Sequence, residues 1–378
     1  MHKVDFVFFD AGGGHRSAAN ALKAVAEQQQ RPWDVRLMNL QEELDSLDVF
    51  KKITRIRLQD IYNRMLAKGW TFGSEFLLPL MHGIIRLYHP AQVRMLTGLW
   101  SQRTPDLIVS VVPNFNRALF QSLQRYNPQI PYVTILTDFA DYPPHFWLEK
   151  QDQYVICGTE RAHKQAIDKG IRPDKAFLVS GMILRPAFYH CFTHDRAEER
   201  KKLGLDPGRT TALILFGGHG STVMSQITRN LQSSGRDLQL ILICGRNEKL
   251  AAEIKKIRTK IPMHVVGFTS DIPYYMSLAD FFIGKPGPGS ISEALAMKLP
   301  VIVEKNAWTL PQERYNAEWI REKKVGLVLD SFETIRTAVD ELLEEERFRE
   351  MRAKAASLGN RAVFEITEIL GQILDRRA

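Results

Sequence analysis

Short apolar runs alternate with amphipathic, helix-like segments along the whole chain. The runs are bounded by glycine, proline or polar residues, and their lengths are those of buried strands. Such alternation is typical of an α/β fold in which helices cover a parallel, doubly wound sheet. The predicted strands are 4–9, 34–40, 106–112, 132–137, 154–157, 177–180, 211–216, 239–244, 263–266, 279–283, 301–303 and 326–329.

The chain divides into two halves that each open with a strand and a glycine-rich turn. At 378 residues it is long for one hydrophobic core, and the segment 185–191 separates the halves. We therefore predict an N-terminal domain over 1–187 and a second domain that begins at 188. A cleft between two such domains is a common ligand site. Predicted helices in the second half include 188–203, 291–298, 332–346 and 347–374.

The sharpest turn lies at 284–290, between an apolar strand and the predicted helix 291–298. Its three glycines and two prolines stop either element from continuing. Ser290 is the predicted N-cap, and Glu293 completes the spacing of a capping box. A helix N-terminus behind small residues suits an anion such as a diphosphate. The alternative is an ordinary strand-to-helix turn.

Two polar residues follow strands of the N-terminal half. His15 comes directly after Gly12, Gly13 and Gly14, in a turn that matches neither a dinucleotide fingerprint nor a P-loop. Its imidazole could accept a proton from a hydroxyl, or it could cap the turn. Asp138 follows the strand 132–137, where open α/β sheets bind ligands, and the alternative is a turn residue.

Net charge narrows the choice of partner. The chain carries a formal charge of +8 at pH 7. This suits an anionic membrane surface, a phosphate-bearing ligand or a nucleic acid. With no long basic tract and no basic-aromatic module in the sequence, nucleic acid is the least supported of the three. Its three cysteines are far apart, which argues against disulfides and a zinc site.

The segment 73–87 combines clustered aromatic and aliphatic residues with flanking basic residues. Such a helix could lie in a membrane interface, or its apolar face could pack on the core. The sequence contains no apolar run near the ~20 residues that span a bilayer, and its N-terminus resembles no signal peptide. We expect a cytoplasmic protein that attaches peripherally to the membrane.

Six short motifs occur in the order found in one enzyme family. They are Gly12–Gly13–Gly14–His15–Arg16–Ser17–Ala18, Thr137–Asp138, Gly217–Gly218, Cys244–Gly245–Arg246–Asn247, Lys285-x-Gly287–Pro288–Gly289–Ser290–Ile291-x-Glu293–Ala294 and Gln312–Glu313-x-x-Asn316. With them the chain resembles the monogalactosyldiacylglycerol synthases and the processive diacylglycerol glucosyltransferases of glycosyltransferase family 28. The resemblance covers nearly the whole chain.

The resemblance implies a GT-B fold of two Rossmann-like domains facing a cleft. The N-terminal domain takes the acceptor, a UDP-sugar domain covers 188–357, and 358–378 returns to the first domain. Transfer inverts the anomeric centre without a metal or other cofactor. The residues implied for substrate binding are Gly13, Gly14, Gly217, Gly218, Arg246, Phe268, Gly287, Pro288, Gly289, Ser290, Glu293, Gln312, Glu313 and Asn316. His15 would be the catalytic base, alone or together with an aspartate, and Asp138 is the other candidate on the same domain.

Among these residues, the resemblance implies specific contacts with the donor. Gly287, Gly289 and Ser290 cradle the diphosphate, while Glu293 binds the ribose. Phe268 lies against uracil, and Gln312 and Glu313 contact the sugar hydroxyls. The sequence departs from the family pattern at His219 and at 306–311. Because the family places the latter segment beside the sugar, the identity of the donor sugar stays open.

We expect a transferase that moves galactose or glucose from a UDP-sugar to a lipid hydroxyl, most simply that of diacylglycerol. Three alternatives remain at this stage. One is a UDP-N-acetylglucosamine-dependent transferase with another lipid-linked acceptor. The others are a UDP-sugar epimerase on the same fold and a non-catalytic sugar-nucleotide sensor.

Overall fold

A computed structural model describes residues 1–10, 13–44, 74–142, 145–190 and 192–376, with only the backbone for 74–86. Two six-stranded parallel sheets form the frame of the molecule. Every pairing within them is parallel, and the strands near the middle of the sheets are buried along their whole length, namely Leu107–Ser110, Tyr132–Ile135, Leu238–Ile243 and Phe281–Gly284. Strands covered on both faces read as continuous apolar runs, which explains why the sequence reveals them.

The first sheet has the order β2-β1-β3-β4-β5-β6. Because β2 and β3 lie on opposite sides of β1, the sheet has its topological switch point beside β1. The loops that follow β1 and β3 therefore open toward the same crevice. The strands are β1 His2–Phe8, β2 Trp33–Asn39, β3 Leu107–Ser110, β4 Tyr132–Ile135, β5 Tyr154–Cys157 and β6 Ala176–Leu178.

The second sheet repeats this plan with the order β12-β11-β10-β7-β8-β9. Its first strand, β7, lies between β8 and β10, so the switch point falls between β7 and β10. The strands are β7 Thr210–Leu215, β8 Leu238–Ile243, β9 Met263–Val266, β10 Phe281–Gly284, β11 Val301–Glu304 and β12 Gly326–Leu329.

Helices connect the strands and cover both sheets. Those of the N-terminal half are Gly14–Gln28, Leu40–Leu44, Ser74–Arg103, Asn116–Tyr126 and Glu160–Asp168, with 3-10 turns at Pro173–Lys175 and Pro186–Tyr189. Those of the C-terminal half are Arg196–Lys202, Val223–Leu231, Glu248–Lys255, Ile272–Ser277, Pro288–Ala296, Arg314–Lys323, Ile335–Leu342, Glu345–Ser357 and Ala362–Asp375, with 3-10 turns at Pro311–Glu313 and Phe332–Thr334.

The last helix, Ala362–Asp375, returns to the first sheet, as the GT-B prediction requires. Its buried residues Ile366 and Leu370 share one apolar cluster with Phe6 and Leu22 of the N-terminal half. Polar contacts fix the approach to this helix. The backbone N–H of Ser180 donates to Glu365 Oε2 at 2.7 Å, and that of Arg361 donates to Ser180 Oγ at 2.7 Å.

Two long predicted helices are each divided. The prediction 188–203 becomes the 3-10 turn Pro186–Tyr189 and the helix Arg196–Lys202, because Asp195 starts a new helix by accepting the N–H groups of Ala197 and Glu198. The prediction 347–374 is interrupted near Gly359. The prediction 332–346 holds as a shorter helix, Ile335–Leu342.

The segment predicted to dock on a membrane, 73–87, begins outside the described residues. Positions 74–86 belong to the 30-residue helix Ser74–Arg103, and Leu87 is exposed. Among the residues that the structure describes, no helix combines the length and apolarity needed to cross a bilayer.

Candidate active site

The predicted site residues gather at the carboxyl ends of the strands in both sheets. His15 and Asp138 follow β1 and β4, while Gly217 follows β7. The turn that contains Gly287 follows β10. The site therefore combines the switch points of both sheets, which is where open α/β sheets bind ligands.

The helix behind the β10 turn begins earlier than the sequence predicts. Gly287 is the N-cap and Pro288 the first helical residue, so Ser290 as N-cap is wrong. Proline suits this position because its fixed φ favours the helix and its missing N–H would lack a partner there. Ser290 lies inside the first turn, where its hydroxyl donates to the Gly287 carbonyl at 3.3 Å.

The first turn of this helix, Pro288–Ala296, keeps its anion-binding capacity. No side chain accepts its N–H groups within the described part of the chain, so the capping box predicted through Glu293 does not form. The first N–H groups and the positive end of the helix dipole are therefore available to an anion, and a Cβ at Gly289 would meet no atom within 4 Å.

Lys285 adds a positive charge to the same turn. Its Nζ lies 2.7 Å from Glu313 Oε1. A Cβ at Gly287 would stand 3.3 Å from Lys285 Cε and 3.6 Å from Glu313 Oε1, so glycine permits this close arrangement. Sequence reasoning assigned no role to Lys285, although a lysine beside a helix N-terminus was a signal for an anion site.

The turns after β7 and β8 fit together through their glycines. Gly217 and Gly245 have left-handed φ values of 74° and 59°. A Cβ at Gly245 would lie 2.3 Å from the Gly218 carbonyl oxygen, which leaves no room for another residue. The same carbonyl accepts the N–H of Arg246 at 2.9 Å.

Arg246 also covers an exposed aromatic ring. Its guanidinium carbon lies 4.8 Å from the centroid of Phe268, and Phe268 is 62% exposed on the loop after β9. A planar cation over an exposed ring at the edge of the sheet offers two surfaces on which an aromatic base can stack. Both residues were predicted to bind substrate.

Glu293 lies partly buried on the helix behind the β10 turn. Burial raises the pKa of its carboxyl group to about 7, while the charge of Arg185 acts in the opposite direction. A carboxyl group in this state can both accept and donate a hydrogen bond near neutral pH.

Gln312 and Glu313, predicted to contact the sugar hydroxyls, belong to the 3-10 turn Pro311–Glu313, and Asn316, also predicted to bind substrate, follows in the next helix. Gln312 is partly exposed and Glu313 is buried against Lys285. Asn316 is fully buried, and its Nδ2 donates to the Pro286 carbonyl at 2.8 Å. Asn316 therefore fixes the backbone of the β10 turn from its buried side.

His15 lies in the first turn of the helix Gly14–Gln28. Gly13 is the N-cap with φ 82°, and no side-chain cap hydrogen bond occurs at this helix start within the described residues. Nδ1 of His15 lies 3.1 Å from Thr137 Oγ1. Burial lowers the pKa of the imidazole to about 4, against a hydrogen bond with the Val111 backbone that raises it. The ring is therefore neutral at neutral pH.

Asp138 is almost completely buried on the same side of the cleft. Burial raises the pKa of its carboxyl group to about 7, although a hydrogen bond from Trp147 lowers it. Glu313 raises that pKa further and Lys285 lowers it through their charges. The electrostatic environment of Asp138 thus includes the turn of the other half.

Sequence reasoning missed Trp147, which links the two candidate bases. Its Nε1 donates to Asp138 Oδ2 at 2.9 Å, and its ring lies 5.8 Å from that of His15 between centroids. Asp141 shapes the intervening loop by accepting the Trp147 N–H at 2.7 Å. A tryptophan nine positions after the aspartate carries no local signal of this contact.

A cleft of ≈ 530 Å³ opens between the two halves, and its lining includes Ala140, two positions after Asp138, and Arg314, directly after Glu313. The N-terminal half contributes Tyr142 and Arg161, and the C-terminal half contributes Asn306, Arg314 and Glu318. Its lining is polar with aromatic faces, which suits a hydroxylated group better than an acyl chain.

Comparisons with known proteins agree with this geometry. The profile of monogalactosyldiacylglycerol (MGDG) synthase matches residues 15–182, and that of the glycosyltransferase family 28 C-terminal domain matches residues 212–368. The chain is 29% identical over 360 residues to the chloroplastic monogalactosyldiacylglycerol synthase of Spinacia oleracea. That alignment covers 90% of this chain and 66% of the spinach protein.

Two solved structures share the fold at low identity. MurG of Acinetobacter baumannii has a TM-score of 0.63 at 12% identity, over 98% of this chain and 99% of that chain. The UDP-GlcNAc 2-epimerase from Neisseria meningitidis, bound to UDP-GlcNAc, has a TM-score of 0.58 at 16% identity, over 99% of this chain and 100% of that chain. At these identities the likeness concerns the GT-B architecture alone.

Proposed function

This chain belongs to the monogalactosyldiacylglycerol synthase family within glycosyltransferase family 28, and from that premise we propose that it is an inverting glycosyltransferase. It moves a hexose from a UDP-sugar to the free hydroxyl of diacylglycerol. One observation carries the proposal: Phe139, directly after Asp138, packs on Trp319 with ring centroids 4.8 Å apart, and Trp319 lies on the helix that directly follows Glu313, the partner of Lys285. An anion-binding turn and a candidate base therefore face the same space.

The donor binds to the C-terminal half. The diphosphate lies at the N-terminus of the helix Pro288–Ala296, beside Lys285. As the bond from the sugar C1 to the diphosphate oxygen breaks, negative charge grows on UDP, and the helix N–H groups and the ammonium stabilise it. Uracil stacks on Phe268, and Glu293 binds the ribose.

The acceptor hydroxyl is activated from the N-terminal half. Asp138 removes its proton while the oxygen attacks C1 from the face opposite UDP, so the configuration inverts. A base works best when its pKa lies near the working pH, and the pKa of Asp138 is about 7. His15, with a pKa of about 4, stays neutral and packs beside Trp147, the residue that holds Asp138 in place.

The dependence of the rate on pH separates the two candidate bases. With Asp138 as base, the transfer rate rises with pH and is half-maximal near pH 7, because only the carboxylate accepts a proton. With His15 as base, the rate would be constant above about pH 5. A flat profile from pH 5 to 8, when chemistry is rate-limiting, contradicts the assignment to Asp138.

A product assay tests the proposed reaction. The protein is incubated with UDP-galactose, UDP-glucose or UDP-N-acetylglucosamine and with diacylglycerol in vesicles, and lipids are analysed by mass spectrometry. We expect a monohexosyl diacylglycerol with release of UDP, and the same rate after treatment with EDTA. Conversion of a UDP-sugar without acceptor would indicate the epimerase, and tight UDP-sugar binding without turnover would indicate the sensor.

We propose that the protein works at the cytoplasmic surface of a membrane. The chain has a net charge of +8, and Leu87 is exposed on the helix Ser74–Arg103. Basic surfaces attract anionic lipid headgroups. Sedimentation with vesicles should therefore require anionic lipid and weaken with salt, and equal binding to neutral vesicles would contradict this.

A further inference from the structure

One helix contacts both sides of the cleft. The helix Arg314–Lys323 is fixed to the β10 turn at its N-terminal end, where Asn316 donates to the Pro286 carbonyl at 2.8 Å. Glu313, directly before the helix, pairs with Lys285. The β10 turn, which we call the donor turn because it holds the diphosphate in the proposed reaction, is therefore fixed to this helix.

The middle of the same helix receives a residue from the N-terminal half. Phe139 follows Asp138 directly, yet it is only 2% exposed and lies within the apolar cluster of the C-terminal half. Its ring meets that of Trp319 edge to face, with centroids 4.8 Å apart and an interplanar angle of 70°. Such pairs contribute about 0.5–1.5 kcal/mol beyond their burial.

Further contacts hold Phe139 in this place. Its carbonyl accepts the hydroxyl of Thr159 at 2.5 Å, and Thr159 caps the helix Glu160–Asp168 by accepting the N–H of Ala162. From that helix, the Arg161 guanidinium lies 5.5 Å from the ring centroid of Tyr315. The backbone of Phe139 is thus anchored in one half and its side chain in the other.

We infer that Phe139 and Trp319 are positioning residues for the transfer reaction. Their contact sets the distance between the carboxylate of Asp138 and the donor turn that carries Lys285. Neither ring needs to touch a substrate, since Phe139 acts through its neighbour and Trp319 through its helix. Displacement of a reacting group by 1 Å can cost on the order of 100-fold in rate. The rate measurements described next rest on the proposed function, whereas the hydrogen-exchange measurement does not.

The kinetic test uses Phe139→Leu and Trp319→Leu. Both keep an apolar side chain but lose the ring contact, so we expect kcat to fall at least about tenfold. The Kd for UDP, measured by calorimetry, should not change because the nucleotide contacts lie within one half. Since both substitutions break the same contact, the double variant should be scarcely slower than either single variant. Trp319→Phe retains an aromatic ring and should restore most of the rate.

Phe120→Leu is the matched control. Phe120 meets Tyr132 edge to face at 5.9 Å, but both rings belong to the N-terminal half. This variant loses a comparable contact and should lower the melting temperature while kcat stays unchanged. An equal fall of kcat in Phe120→Leu would mean that general destabilisation explains the effect, and would overturn the inference.

A pH profile separates positioning from simple loss of folded protein. A loosened contact admits water to Asp138, so its pKa falls and the acidic limb of the rate profile moves below pH 7 in Phe139→Leu. Loss of folded enzyme lowers the whole profile without moving the limb. An unmoved limb overturns the inference.

Hydrogen exchange provides a readout without substrate. Amides at 137–142 and 313–319 should exchange faster in Phe139→Leu than in wild type, whereas those of the first strand, His2–Phe8, should not. Unchanged exchange at both segments overturns the inference. A wild-type protein without transfer activity would overturn the proposed function and leave the exchange result interpretable.

Discussion

The two halves of the molecule share one plan and use it for different chemistry. Each is a six-stranded parallel sheet with its switch point beside the first strand of the half. In the C-terminal half, the switch point carries Lys285 and a helix N-terminus without a side-chain cap. In the N-terminal half, it carries His15 with Asp138 nearby, two titratable groups whose pKa values burial moves in opposite directions.

The difference shows that similar backbones can support different chemistry when the side chains beside them differ. Both halves expose a helix N-terminus behind a glycine turn, since the helices Gly14–Gln28 and Pro288–Ala296 each lack a side-chain cap in the described structure. Only one has a lysine beside it. The C-terminal half is therefore suited to bind a charged leaving group, and the N-terminal half to move a proton.

The largest effect should come from the base, and Asp138→Asn tests it. The amide oxygen still accepts the Trp147 N–H, but the side chain cannot take a proton. We expect kcat to fall about 10²–10⁴-fold, the usual contribution of a general base. The affinity for UDP should be unchanged, since UDP binds to the other half. Transfer rates and UDP calorimetry on the same preparation measure both.

Asp174→Asn is the control for that variant. Asp174 is an exposed aspartate of the same half that pairs with Arg172, so we expect full activity. If Asp138→Asn kept the wild-type rate, the base would lie elsewhere, and His15→Ala would be the next variant to measure.

A smaller loss of kcat should follow from Lys285→Met, which changes the C-terminal half. The lysine stabilises charge on the leaving diphosphate, and loss of one such group costs about 10²–10³ in kcat. Unlike the base variant, this one should also weaken UDP binding. Lys256→Met, an exposed lysine of the same half, is the control. Normal UDP affinity in Lys285→Met would place the diphosphate away from the β10 turn.

The sequence predicts the sheets well because most strands are short apolar runs bounded by glycine, proline or polar residues. The predicted strands 154–157, 263–266 and 326–329 agree with the structure at both ends. The fold class, the family and the enzyme class are confirmed. The domain boundaries and the roles of the site residues stay predictions.

The missed features depend on contacts between distant parts of the chain. Lys285 and Glu313 are 28 positions apart, and Phe139 and Trp319 belong to different halves. No periodicity links such pairs. The start of the donor helix was misplaced for a local reason, since serine and proline both mark helix N-termini and here the proline prevailed.

Phe268→Leu should produce the smallest effect, a change in UDP affinity without a change in kcat. The ring is 62% exposed, so its removal leaves the core intact. Stacking of a base on an aromatic ring contributes about 1–3 kcal/mol, so UDP affinity should fall about tenfold. At saturating UDP-sugar, kcat should be unchanged because the proposed contact of this ring is with uracil and not with the reacting sugar. The double variant with Asp138→Asn should show both losses in full, since the two residues serve separate steps in separate halves. If the losses in the double variant differed markedly from the sum of the two single losses, nucleotide binding would also set the position of the base. The two halves would then not act independently.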